Sequence, residues 1–319
     1  MLMEWLKLGK VGFPNRTGKN YLRVWVKYLI LAIFSYPEKR EYDLKTLPLR
    51  SNVWSSFNRW LQFQIRFINP RDWARSPVIL AVAGGYSEKN NVDGLNFSES
   101  DKAIAEELGQ KYLEGFRGFE HQDYENWILK VLACLRAAEQ ITGTNIVNSI
   151  NSVAEIGPGM ASMAGVANAH SSPNFYSYDT LEMQIVQRYV AKSLGIPETR
   201  CIYFPINSEK VSLKAELPNS PYVLFAFWSF TEVNISERAY YFDLIQNSST
   251  TVIACNNSFE GVNNFEFLEK LAMDLGKEMQ HTDFLTILGP KCRVGSKSTV
   301  YTYSRTLKRR ARLAFQFNQ

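Results

Sequence analysis

Histidine and cysteine are scarce in this chain, with three and four among 319 residues. The cysteines, Cys134, Cys201, Cys255 and Cys292, stand far apart, with no CxxC pair and no histidine at ligand spacing. That excludes a zinc knuckle and a disulfide-stapled scaffold, and it fits a reducing compartment. Cys201 and Cys255 fall in apolar, strand-like runs, where a thiol acts as a small hydrophobe. Carboxylates that could hold a metal, Asp243, Glu260 and Asp283, are scattered, so no metal is expected. Long apolar runs are missing as well. A membrane span needs about 20 apolar residues. The strongest stretch, Tyr21–Tyr36 (YLRVWVKYLILAIFSY), is shorter and is broken by Arg23 and Lys27. It suits a helix lying in a membrane interface, or equally a buried helix. Met1–Lys10 is followed by Gly, Pro and Asn rather than an apolar core, so no signal peptide is expected.

Negative charge is scarce at the ends. Residues 1–50 carry 10 Lys/Arg against 4 Asp/Glu, and residues 305–319 carry 5 against none. The body, 51–304, is acidic, with 21 against 27. Basic ends on an acidic body suit contact with an anionic partner or a membrane surface, or serve solubility. A nucleic-acid groove would need basic residues interleaved along one face, and none is expected. At 45% hydrophobic and 21% charged residues the composition is globular, and a cytoplasmic protein, peripheral at most to the inner membrane face, is expected.

The chain changes character near residue 150. Before it the pattern is aromatic-rich and mostly helical, with a loop at Gly84–Ser100 and a helix beginning at Ser98 or Ser100. In Asp123–Thr142, Tyr124, Trp127, Ile128, Val131, Leu132 and Leu135 form one helical stripe closed by Gly143. From 151 onward, strand-like runs at Val153–Ile156, Phe175–Tyr178, Cys201–Phe204, Tyr222–Phe227 and Thr251–Cys255 alternate with helical stretches. The latter are Met160–Ala169, Leu181–Leu194, Ser236–Gln246 and Asn263–Leu275. Two last runs, Phe284–Leu288 and Ser298–Tyr303, read as a closing hairpin. The pattern predicts an α/β, Rossmann-like, seven-stranded, mostly parallel sheet with helices on both faces. A mostly helical region, 1–120, is expected to precede the α/β domain, 121–319, and to cover one side of its ligand crevice.

The chemistry gathers at Val153-Ala-Glu155-Ile-Gly157-Pro-Gly159-Met-Ala161. A strand ends in an acid, and a Gly-x-Gly turn leads into a helix whose N–H groups face a ligand. The dinucleotide fingerprint fits less well, because counting from Gly157 puts Ser162 where a Gly or Ala should sit. Asp179 closes the next strand, placed to accept both ribose hydroxyls of a nucleoside or to cap the following helix, a task Thr180 can take instead. The run Tyr222–Glu232 exits at the carboxyl edge and delivers Trp228, Ser229 and Glu232 to the crevice.

The first of these segments resembles motif I of class I S-adenosylmethionine-dependent methyltransferases, with Ala161 at the third glycine. Ala226-Phe-Trp-Ser-Phe-Thr-Glu-Val is similar to a segment of bacterial sugar O-methyltransferases, and the likeness extends loosely over residues 120–305. The resemblance implies an S-adenosylmethionine site at Glu155, Gly157, Pro158, Gly159, Asp179, Thr180, Phe227, Trp228 and Ser229. It also implies methylation of a sugar hydroxyl in a surface polysaccharide or glycoconjugate precursor. The acceptor's proton needs a base, for which Glu232 and His281 are the candidates, with His170 behind them, while His121 is placed to line the cleft. The rivals are a nicotinamide-dependent oxidoreductase or epimerase, and a non-catalytic module of a glycosylation complex.

Overall fold

The computed structural model describes residues 61, 65, 68–75, 97–117, 121–146, 151–171, 173–206, 215–233, 235, 237–259, 261–283 and 298–304. The segment 21–36, both basic termini, the run 284–288, Glu260 and Cys292 lie outside them.

Two long helices come first, α1 (Glu99–Gly115) and α2 (His121–Thr142). Ser98 caps α1 by accepting from the Asp101 N–H at 3.1 Å and donating to its carboxylate at 2.8 Å. The Asp101 carboxylate also takes Arg136 of α2 at 2.7 Å, and Arg136 reaches Glu139 at 2.5 Å. The charged guanidinium beside it holds the Asp101 carboxyl below its ordinary value despite burial. This pins the two helices side by side.

The sheet follows. Its strands are β1 (Ser152–Ile156), β2 (Asn174–Thr180), β3 (Cys201–Ile206), β4 (Val223–Phe227) and β5 (Thr250–Asn256). A small hairpin, β6 (Ser258–Phe259) and β7 (Val262–Asn263), stands apart, and β8 (Glu278–Asp283) and β9 (Ser298–Ser304) complete the main sheet. Its order is β3-β2-β1-β4-β5-β9-β8, with seven strands. Pairings among the first five are parallel, while β9 runs antiparallel to both β5 and β8. The mostly parallel seven-stranded Rossmann-like sheet expected from the alternation is therefore the architecture.

The period of two sorts the strand residues between two cores. Val153, Phe175, Phe225, Val252 and Val300 face α1, α2, α3 (Ser162–His170) and α4 (Leu181–Ser193). Ala154, Tyr176, Leu224, Ile253 and Tyr301 face α5 (Phe242–Asn247) and α6 (Asn264–Asp274) on the other side. The first core does not stop at residue 120: Leu61, Ile65, Ile68, Trp73 and Tyr112 belong to it, and the Trp73 ring meets Tyr189 of α4 at 5.6 Å.

Three boundaries differ from expectation. The helix expected from Met160 begins at Ser162, because Gly159 and Ala161 are left-handed and the turn must finish first. The stretch expected as one helix over Ser236–Gln246 is a 3-10 turn, Arg238–Tyr241, running into the short α5, and neither piece has a side-chain cap at its start. A strand not expected from the sequence, β8, occupies Glu278–Asp283 just after the left-handed Gly276, while the run 284–288 lies outside the described residues. Among the described residues no helix is long and apolar enough to cross a membrane.

Candidate functional site

Strand order reverses between β1 and β4, and at such a switch point the connecting segments leave the sheet in opposite directions and open a crevice at the carboxyl edge. The sequence-expected residues Glu155, Gly157, Gly159, Asp179, Trp228, Ser229 and Glu232 all lie at this edge or just beyond it.

The turn after β1 is built by close approach. Gly157 has φ +59, and a β-carbon there would stand 2.6 Å from the Ser229 Cβ. Its N–H donates to the Tyr178 carbonyl of β2 at 2.8 Å. Ser229, just past β4, donates its hydroxyl to the Ile156 carbonyl, so it braces the turn across the switch point. Pro158 is buried, and its carbonyl accepts the Ala161 N–H at 2.8 Å. Gly159 is left-handed at φ 54. Ala161 shares that conformation at φ 54, so the methyl at the third glycine position is accommodated with backbone strain.

Two carboxylates meet under this turn. Glu155 is 4% exposed, and its Oε2 has no hydrogen-bond partner. Asp179 accepts from the Thr180 N–H at 2.7 Å, from Gln187 Nε2 at 2.7 Å and from the Gly159 N–H. Gln187 is itself oriented by the Ser177 hydroxyl at 2.6 Å. Burial raises the Asp179 carboxyl to about 7, against the pull of those donors. Burial, then repulsion from Asp179, pushes Glu155 well above its ordinary range. Neither group has a cationic partner among the described residues. Thr180 caps α4 through its hydroxyl, accepting from the Met183 N–H at 3.4 Å, so its side chain is committed to the helix.

Beyond β4 the chain strains again. Trp228 has φ +51, a conformation bulky residues rarely hold, and its N–H donates to the Ala254 carbonyl at 2.7 Å. Lys130 of α2 places its ammonium 4.0 Å from the Trp228 ring centroid. Phe227 is half-buried against Phe225 at 5.6 Å, part of the wall beneath. Burial raises Glu232 to about 7, with Lys130 opposing. Behind it, Arg238 is 1% exposed and donates to the carbonyls of Thr231 at 2.5 Å and Val233 at 3.0 Å and to Asn264 Oδ1 at 3.3 Å. The Glu232 segment is thus held from both sides.

The histidines do not join this group. His281 lies within β8, separated from β4 by β5 and β9, with its ring exposed against Phe265 at 5.2 Å and Tyr301 at 5.9 Å. It is a residue of the edge strand itself, where the sequence had suggested a position just before a strand. His170 ends α3, away from the turn where that helix starts, and burial lowers its pKa. His121 opens α2. The thiols of Cys134 and Cys255 are pushed up to about 12 by burial, which leaves them inert. Among the described residues no group of three or more His, Cys, Asp or Glu could hold a metal ion. Sequence reasoning missed Gln187, Lys130, Arg238 and Tyr112. The signal was there for Gln187 only, a polar residue on the buried stripe of α4.

No known family profile matches the chain, and no curated protein sequence matches it. Among solved structures it is similar to a SAM-dependent methyltransferase from Aquifex aeolicus, at 14% identity and a TM-score of 0.39, covering 55% of this chain and 95% of that one. It is similar to the CcbJ methyltransferase from Streptomyces caelestis at 15% identity and a TM-score of 0.37, over 53% of this chain and 89% of that one. A third is a phosphoethanolamine N-methyltransferase of Haemonchus contortus in complex with S-adenosylhomocysteine, at 12% identity and a TM-score of 0.38, covering 54% of this chain and 52% of that one. At such identities these likenesses say nothing of chemistry, which rests on the residues of the site.

Proposed function

We propose that this chain is an S-adenosylmethionine-dependent O-methyltransferase. The observation that carries the reading is the pair of carboxylates under the Gly157–Ala161 turn, Glu155 buried and Asp179 half-buried, one with an open oxygen and neither with a cation among the described residues. Such a pair favours a ligand that brings positive charge and ribose hydroxyls together. S-adenosylmethionine has an ammonium, a sulfonium and a ribose. A dinucleotide would bring its negative pyrophosphate against Glu155 and meet repulsion instead.

In this reading the unpartnered Glu155 Oε2 accepts from the ligand's ammonium, and Asp179 accepts from its ribose. Gly157 and Gly159 let the backbone approach the amino-acid end, and Phe227 and Trp228 wall the crevice beyond. The bound cofactor supplies an electrophilic methyl group, whose transfer breaks one S–C bond, forms one C–O bond on the acceptor and frees the hydroxyl proton. Glu232 takes that proton, since a group titrating near neutrality is half-prepared to accept it and then release it to water. Lys130 and Trp228 stand at the acceptor side, on which a sugar hydroxyl of a polysaccharide or glycoconjugate precursor is the acceptor class proposed. The likeness of Ala226–Val233 to sugar O-methyltransferases supports that class, and the basic termini support an acceptor handled in the cytoplasm near an anionic membrane face.

Isothermal calorimetry on the purified chain tests the reading. S-adenosylhomocysteine and S-adenosylmethionine are expected to bind in the micromolar range, and NAD not to bind. Tight NAD binding with no heat from either sulfur nucleotide would reverse the assignment.

A further inference from the structure

Tyr112 belongs to α1, in the part of the chain where no sequence pattern pointed to the site. It is fully buried, and its hydroxyl donates to the Met160 carbonyl at 2.6 Å across 48 residues of chain. Met160 lies between the left-handed Gly159 and Ala161, and the Met160–Ala161 peptide at the crest of the turn is held at both ends, its carbonyl by Tyr112 and its N–H by the Pro158 carbonyl at 2.8 Å. The ring is locked by stacking on Tyr124 of α2 at 5.0 Å, with 7° between planes. With its only proton committed to Met160, the Tyr112 oxygen receives the Ser162 hydroxyl at 3.3 Å. Burial, aided by the nearby Glu155 charge, raises the phenol's pKa, so that proton stays in place at any working pH.

We infer that Tyr112 is a positioning residue for the cofactor turn: its hydroxyl, delivered by α1, holds the Met160 carbonyl at the crest of the turn that receives the ligand's amino-acid end. The inference rests on the cofactor reading above. It makes α1 part of the cofactor site as well as of the core.

Tyr112→Phe keeps the ring and its stacking and removes only the hydroxyl. Because the bond acts at the amino-acid end, the effect separates two ligands. S-adenosylhomocysteine is expected to bind about tenfold more weakly to the variant, as one lost buried hydrogen bond implies. Adenosine, which has no amino-acid end, is expected to bind both proteins alike. Amide hydrogen exchange across 159–163, measured without ligand, is expected to be about tenfold faster in the variant. Tyr189→Phe is the control, because it removes a part-buried tyrosine bond, from the Tyr189 hydroxyl to the Gly115 carbonyl at 2.8 Å, away from the turn. It should leave both affinities unchanged. Equal losses for adenosine and S-adenosylhomocysteine, or unchanged exchange over 159–163, would overturn the inference. If the unmodified chain binds neither ligand, the cofactor reading itself falls, while the exchange measurement still judges the clamp on the turn.

Discussion

Gly157→Ala adds one methyl group at the point where β1, β4 and the turn converge. The new carbon would sit 2.6 Å from the Ser229 Cβ, well inside contact distance, on a backbone with φ +59. Left-handed backbone costs an L-residue roughly 1–2 kcal/mol. Relieving the overlap by shifting the turn costs about 1–3 kcal/mol more, as overpacking does in well-filled cores. The total of about 2–5 kcal/mol divides between a less stable fold and a turn displaced from its ligand. Calorimetric affinity for S-adenosylhomocysteine should therefore fall at least tenfold, with some loss of melting temperature. Gly143→Ala separates the two contributions. Gly143 has a similar φ of +64 with nothing within 4 Å of a β-carbon. That variant should lose about 1 kcal/mol of stability and none of its affinity. Ser229→Gly added to Gly157→Ala should recover part of the affinity by removing the clashing carbon. Wild-type affinity in Gly157→Ala, or an equal affinity loss in Gly143→Ala, would refute the close-approach account of this turn.

The pH dependences of stability and binding should oppose each other. Asp179 is raised from 3.8 to about 7 on folding. Between those values the folded chain keeps a proton that the unfolded chain has released, so the ligand-free protein loses stability as pH rises toward 7. Its melting temperature should be higher at pH 6 than at pH 8, whereas ribose recognition needs the ionised carboxylate and S-adenosylhomocysteine should bind more tightly at pH 8. Parallel trends in the two measurements would contradict the assignment of Asp179. Arg238→Ala should cost about 2–4 kcal/mol in urea denaturation, because the Thr231 and Val233 carbonyls lose their donor and a buried side chain leaves a void. Glu232→Gln should bind S-adenosylhomocysteine normally but transfer labelled methyl groups to a glycan-precursor extract at a rate lower by about 10²–10⁴-fold. An unchanged rate would remove Glu232 as the proton acceptor.

Much of the site was legible in advance because its constraints are local. A glycine whose neighbour leaves no room for a β-carbon, an acid at a strand end and a second acid at the end of the next strand all leave marks at fixed spacings. The helix boundaries were less legible. The left-handed Ala161 delays α3 by two residues, and a stretch without a cap becomes a 3-10 turn. His281 illustrates the opposite error. A lone histidine beside a strand-like run drew notice, yet strand order puts two strands, β5 and β9, between it and β4.

The alternation of apolar runs by itself determined a doubly wound sheet, since burial on both faces demands that pattern. Only the tertiary structure decided that Ser229 closes on Gly157, that Gln187 feeds Asp179, and that Lys130 and Tyr112 reach the crevice from helices lying before the sheet. Those contacts join residues far apart along the chain. Their distances depend on strand order and helix packing, which no local stretch of sequence encodes.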